Sequence, residues 1–158
     1  MTAEELRREH LSAVAEIEAE CFAEPWSERA LELLLTEQAF GAVCVKEGRV
    51  VAYGGVFWAP DEGQITNIAV REDCRRCGCG GAILKELKRA ALTSGCIQLS
   101  LEVRASNQAA VALYERHGFA IAGIRKRFYK NPCEDALVML CDLTRPHVEM
   151  EHNETNET

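Results

Sequence analysis

Arg75-Arg76-Cys77-Gly78-Cys79-Gly80-Gly81 joins a β-rich run, Gln64 to Val70, to an apolar helical pattern, Ala82 to Leu92. A strand, a glycine-rich turn and a helix start form an anion cradle. Glycines let the chain turn tightly and gather several backbone N–H groups toward one point. The unpaired first-turn donors of the helix and its positive dipole end favour phosphate there. The run is not a P-loop, because no Lys-Ser/Thr follows it. It is not a dinucleotide fingerprint either, because the third glycine is missing from its place. It predicts a ligand with a pyrophosphate of some other kind.

The pattern on either side predicts one α/β unit. Leu11, Val14, Ile17 and Cys21 recur at helical spacing, and Pro25 stops that helix near Phe22. Ser27 is a good N-cap for a short helix through Leu35. Ala42 to Lys46, Val50 to Trp58 and Gln64 to Val70 read as three consecutive antiparallel strands, with turns at Glu47-Gly48 and Asp61-Glu62-Gly63. After the helix Ala82 to Leu92 comes a strand, Ile97 to Val103, which a right-handed crossover sets parallel to the strand before the glycine turn. Asn107 caps a helix through Arg116, and Phe119 to Ile124 and Ala136 to Leu143 supply two more strands, with Tyr129, after the basic Arg125 to Arg127, expected on the hairpin tip between them. One sheet covered by helices accounts for the chain.

At 158 residues and 47% hydrophobic, the sequence fits a single domain, expected over 1–145. Pro146 to Thr158 holds four glutamates and few apolar side chains, so 146–158 is expected to be a disordered acidic tail. Without those four charges the formal −7 becomes −3, which points to neither nucleic acid nor membrane as partner. Basic side chains cluster locally instead, at Arg71, Arg75 and Arg76 and again from Arg125 to Lys130. No apolar run approaches the roughly 20 residues of a membrane span. The N-terminus is too charged for a signal peptide, so the expected place is the cytoplasm and the eight cysteines are expected as thiols.

With these residues in view, the chain resembles the GNAT acyltransferase superfamily. The signature of that family has Arg or Gln, two residues, Gly, one residue, then Gly or Ala, and Arg75, Gly78 and Gly80 fill those places. A closer resemblance, to the RimI branch of ribosomal-protein alanine N-acetyltransferases, rests on five separated stretches. These are Phe22-Ala23-Glu24-Pro25-Trp26-Ser27, Asn67-Ile68-Ala69-Val70, Leu101-Glu102-Val103-Arg104-Ala105-Ser106-Asn107, Ala112-Leu113-Tyr114-Glu115 and Gly118-Phe119. The resemblance implies a mixed, mostly antiparallel sheet with a splayed parallel pair, and acetyl-CoA as co-substrate with no metal. The pyrophosphate would lie over Arg75, Arg76, Cys77, Gly78, Cys79, Gly80 and Gly81. The pantetheine arm and acetyl carbonyl would lie against Ile68, Ala69 and Val70, with Asn107 touching the CoA arm. Glu102 would be the general base, Tyr114 the proton donor to the departing thiolate, and Trp26 and Tyr129 would border the peptide. The implied partner is a protein N-terminus, the alanine-led end of a small-subunit ribosomal protein. Cys77, Cys79 and Gly81 depart from the family pattern, which puts pyrophosphate affinity in question.

Spacing supports parts of this without the resemblance. In the strand Ile97 to Val103, Glu102 shares the face opposite Leu99, Leu101 and Val103, where a cleft can reach it. Asn107 and Tyr114 stand two helical turns apart, on about the same side. An α-amino group has a reference pKa near 8 against about 10.4 for lysine, roughly 3 kcal/mol easier to deprotonate, which favours an N-terminal acceptor. Lysine or a small amine stays open as acceptor. So does a catalytically silent acyl-CoA-binding module, or a metal module built on Cys74, Cys77 and Cys79. Taken singly, Glu102 reads as a solvated strand residue, Tyr114 as a core-edge aromatic and Asn107 as a helix cap. The thiols beside the arginines could also be acidic and open to oxidation.

Overall fold

The computed structural model describes residues 1–145, and the acidic stretch 146–158 lies outside the described residues. The elements follow in order: β1 (Glu4–Glu5), α1 (Leu11–Cys21), α2 (Glu28–Leu31), β2 (Ala39–Lys46), β3 (Arg49–Trp58), β4 (Glu62–Val70), α3 (Cys79–Thr93), β5 (Gln98–Arg104), α4 (Gln108–Arg116), β6 (Phe119–Lys130) and β7 (Cys133–Asp142). They build one mixed α/β sheet of seven strands in the order β1-β2-β3-β4-β5-β7-β6. Among the described residues no helix is long and apolar enough to cross a membrane.

The three consecutive strands pair antiparallel as their turns predict. Strand β5 then runs parallel to β4, but only over Glu62↔Gln98, Gly63↔Leu99 and Gln64↔Ser100. Beyond that point β5 stays with its antiparallel neighbour β7 from Gln98↔Asp142 to Arg104↔Ala136, while β4 stays with β3 as far as Ala52↔Val70. Ile65–Val70 and Leu101–Arg104 therefore flank an open wedge, the splayed parallel pair.

Each face of the sheet has its own core. Helix α3 buries Ile83, Leu84, Leu87 and Ala91 against one face, with Ala52, Val56, Leu99, Leu101 and Met139 beneath. A Cβ added at Gly54 would stand 2.5 Å from Ile83 Cγ2, so only glycine lets α3 approach β3 this closely. On the other face, α1 lays Leu11, Val14 and Ile17 on Val43, Tyr53 and Ala69, with Leu31 and Leu34 closing the edge. Ser27 caps α2 by accepting from Ala30 N at 3.1 Å, and a 3-10 turn continues the helix to Leu35.

Four expectations change. Glu62 and Gly63 belong to β4, and the turn falls just before them. Helix α3 begins at Cys79, so Gly80 and Gly81 lie inside its first turn. Arg71 is not part of a free basic cluster. It is buried, donates to Val50 O at 2.9 Å and pairs with Glu16 and Glu20 at 3.3 and 3.4 Å. The last hairpin runs through Lys130 and Cys133, which puts Tyr129 within β6 opposite Glu134 instead of at the hairpin tip. A bulge between Arg125 and Tyr129, with Arg127 at φ +53, breaks the alternation by which a strand is recognised.

Candidate active site

The cradle forms where α3 begins. Gly78, at φ +79, is its N-cap, and Arg76, at φ +65, is a second left-handed residue two places earlier. The first bond of the helix is Ala82 N to Gly78 O at 3.1 Å, so the N–H groups of Cys79, Gly80 and Gly81 precede any intrahelical acceptor. These main-chain donors and the dipole end are what an anion would meet. The side chains divide the work differently. Cys79 is 1% exposed and packs in the α3 core, so it offers its backbone alone. Cys77 and Arg76 are exposed. A Cβ at Gly80 would stand 3.0 Å from Leu113, and one at Gly81 would stand 3.3 Å from His117 Nε2. The departure at Gly81 thus makes room for the His117 ring. Arg75 turns back to the strand, Nε donating to Val70 O at 3.3 Å and Nη2 reaching Cys21 Sγ at 3.9 Å. Burial pushes the Cys74 and Cys79 thiols up, against the acidic character expected beside the arginines for these two, as it does the core thiols Cys21 and, to about 12, Cys44.

The wedge leads from this cradle to the corner after β5. Ile68 and Val70 are half-buried on its β4 side and Ala69 is buried toward α1. Asn107 caps α4 by accepting from Ala110 N at 3.2 Å, which leaves its amide N–H groups for another partner. Tyr114 is 7% exposed and packs on Phe119 with ring centroids 5.8 Å apart. Its hydroxyl has no hydrogen-bond partner among the described residues. Burial raises its pKa well above the ordinary tyrosine value, with a smaller push from Tyr129.

A cavity of about 350 Å³ opens on the other side of the same corner. Trp26, Phe57, Phe128 and Tyr129 give it aromatic walls, and Gln64, Thr66, Asn67 and Glu102 give it polar ones. Glu102 accepts from Gln64 Nε2 at 3.0 Å and pairs with Arg125 Nε at 3.4 Å. Tyr129 is held by Arg104, whose guanidinium lies 4.4 Å from the ring centre while donating to Pro132 O at 2.9 Å and to Glu134 at 3.2 Å. Burial, then the Glu102 charge, raise the Tyr129 hydroxyl above its usual pKa. Asn131 reaches Glu24 at 3.2 Å, joining the hairpin tip to the loop before α2 beside the cavity.

Trp26, Glu102 and Tyr129, read from separate parts of the sequence, thus line one cavity. Tyr114, Asn107 and the cradle are not in its lining. Three residues with no reading of their own complete the site: Gln64 on Glu102, Arg104 on Tyr129, and Glu18 behind the wall. Glu18 is 0% exposed and accepts from Tyr53 Oη, from Asn67 Nδ2 at 3.0 Å and from Trp26 N at 3.4 Å. The available signal was a glutamate beside Ile17 at the margin of an apolar stripe, a place where a solvated rim residue is usual.

Comparison with known proteins fits this geometry. Residues 11–119 match the acetyltransferase (GNAT) family. The [ribosomal protein bS18]-alanine N-acetyltransferase of Escherichia coli K12 is 37% identical over 140 residues, which is 87% of this chain and 95% of that protein. Its Salmonella typhimurium counterpart is 38% identical over 131 residues, 82% and 88% of the two chains. The crystal structure of the Escherichia coli ribosomal-protein-S18-alanine N-acetyltransferase superposes with a TM-score of 0.82 at 34% identity, over 96% of this chain and 99% of that one. The family uses acetyl-CoA as acyl donor. The chain belongs to the GNAT family and is an acetyl-CoA-dependent N-acetyltransferase.

Proposed function

We propose that this enzyme acetylates the N-terminal α-amino group of a protein, the alanine-led end of a small-subunit ribosomal protein. The observation that carries the reading is Glu102, a carboxylate at the end of the wedge, facing a cavity walled by Trp26 and Tyr129. The names of the relatives, which specify alanine N-acetylation of bS18, support the same acceptor. In this reading the pyrophosphate lies on the N–H groups of Cys79, Gly80 and Gly81. The arm of the co-substrate follows Ile68 to Val70, past Asn107.

Each chemical step then has a residue. Glu102, directly or through one water, takes the proton from the incoming amine as nitrogen attacks the thioester carbonyl. Main-chain N–H groups on the open edge of β4 stabilise the tetrahedral oxyanion. As the C–S bond breaks, Tyr114 supplies a hydrogen bond or proton to the leaving thiolate. Tyrosine is ordinarily a weaker acid than a thiol, and burial weakens Tyr114 further, so hydrogen-bond donation is the larger part of its role. No cysteine nucleophile is required. The test is transfer from labelled acetyl-CoA to peptides that differ only in their first residues. Label on alanine-first peptides, absent when the α-amine is blocked, supports the assignment, whereas label on lysine alone overturns it.

A further inference from the structure

Glu18 is a fully buried carboxylate that the steps above do not use. Such a group is costly to bury unless donors surround it. Its donors come from three separate elements: the Tyr53 hydroxyl on β3, the Asn67 amide on β4 at 3.0 Å, and the Trp26 main chain between α1 and α2 at 3.4 Å. Two of those residues, Asn67 and Trp26, are walls of the cavity that Glu102 faces. Only the –NH2 side of an amide can meet a carboxylate, so Glu18 decides which way Asn67 is turned. Its planar amide must then present the carbonyl oxygen away from Glu18.

We propose that Glu18 is a positioning residue for the acceptor amine. It fixes Asn67 so that the side-chain carbonyl accepts one N–H of the incoming α-amine while Glu102 receives another, and it holds Trp26 as the opposite wall. This rests on the N-terminal-acceptor reading above. An amine approaching a thioester carries more than one N–H. A second acceptor aims the nitrogen lone pair at the carbonyl while the base removes a proton.

The test compares Glu18→Gln, Asn67→Ala and the double variant on an alanine-first peptide, with acetyl-CoA affinity measured separately by calorimetry. Glu18→Gln turns an N–H toward one of three donors. Both single variants should raise the peptide KM about tenfold, roughly the worth of one hydrogen bond. Acetyl-CoA affinity should stay within about twofold, and the double variant should be little worse than either single one. A purely structural Glu18 would lower both affinities together, and that result overturns the proposal. So does an unchanged peptide KM in Asn67→Ala, a variant that leaves Glu18 with two donors and keeps the question answerable if Glu18→Gln does not fold. Wild-type transfer to these peptides with unmoved KM values sinks this inference alone, while no wild-type transfer to any α-amine sinks the functional reading as well.

Discussion

Two tyrosine-to-phenylalanine substitutions should fail in opposite ways. The Tyr53 hydroxyl donates to Glu18 within the α1 core, where the Tyr53 and Glu18 side chains are at most 1% exposed. Tyr53→Phe takes one donor from a buried carboxylate, a loss of about 1.5–3 kcal/mol. For a chain of this length that lowers Tm by roughly 4–10 °C. Tyr114 is also buried, at 7% exposure, but its hydroxyl has no partner among the described residues, and phenylalanine keeps the contact with the Phe119 ring. Tyr114→Phe should therefore shift stability by less than about 0.5 kcal/mol. Its turnover should fall by about 10²–10⁴-fold, the range for a lost proton or hydrogen-bond donor at a reacting atom. Urea denaturation gives the first quantity. Initial rates of labelled acetyl transfer at saturating acetyl-CoA give the second. Equal stability losses in the two variants would refute the hydrogen-bond assignment, and wild-type kcat in Tyr114→Phe would remove that residue from the reaction.

Glu102→Gln removes the proton acceptor and should lower kcat/KM by about 10²–10⁴-fold, most severely at low pH where little free amine remains. A pH profile parallel to wild type would reject the base assignment. Tyr53, Tyr114 and Tyr129, the three tyrosines of the chain, all have pKa values raised chiefly by burial. Because the folded values exceed the unfolded value near 10, their share of stability is complete below that pH and drains away above it. For the deeply buried Tyr53 and Tyr114, phenolate absorbance should therefore rise together with loss of circular dichroism, and either of them ionising near 10 in folded protein would contradict the packing. At Gly54 an added Cβ meets Ile83 Cγ2 at 2.5 Å and Leu87 Cδ1 at 3.2 Å, so Gly54→Ala should cost about 1–3 kcal/mol by denaturation. An unchanged midpoint would mean that α3 can lift from the sheet.

What the sequence made legible is whatever a single element carries. Leu11, Val14 and Ile17 mark the buried side of α1, and all three are in the core. The strand parity that brought Glu102 out of the Leu99–Leu101–Val103 face holds in β5. Asn107 is the cap its residue type predicts. The misreadings arise where a residue's role is set from across the fold. Tyr129 lies in a strand and not at the hairpin tip, a strand that the β6 bulge hides in charged residues, and its ring is held by Arg104 at the end of β5. At Cys79 only the side chain is set from across the fold: helix α3 starts there and turns its thiol into the core, so the residue has only its backbone N–H to offer an anion. Glu18 is the clearest case. Its partners Tyr53 and Asn67 are 35 and 49 residues away, and no local pattern distinguishes it from a solvated glutamate on the helix rim. Only after β3 and β4 are paired do Tyr53 and Ala69 stand side by side facing α1, with Asn67 nearby. Local sequence patterns can thus nominate the groups that do chemistry, while the groups that aim them must be sought among buried polar side chains whose donors come from distant strands.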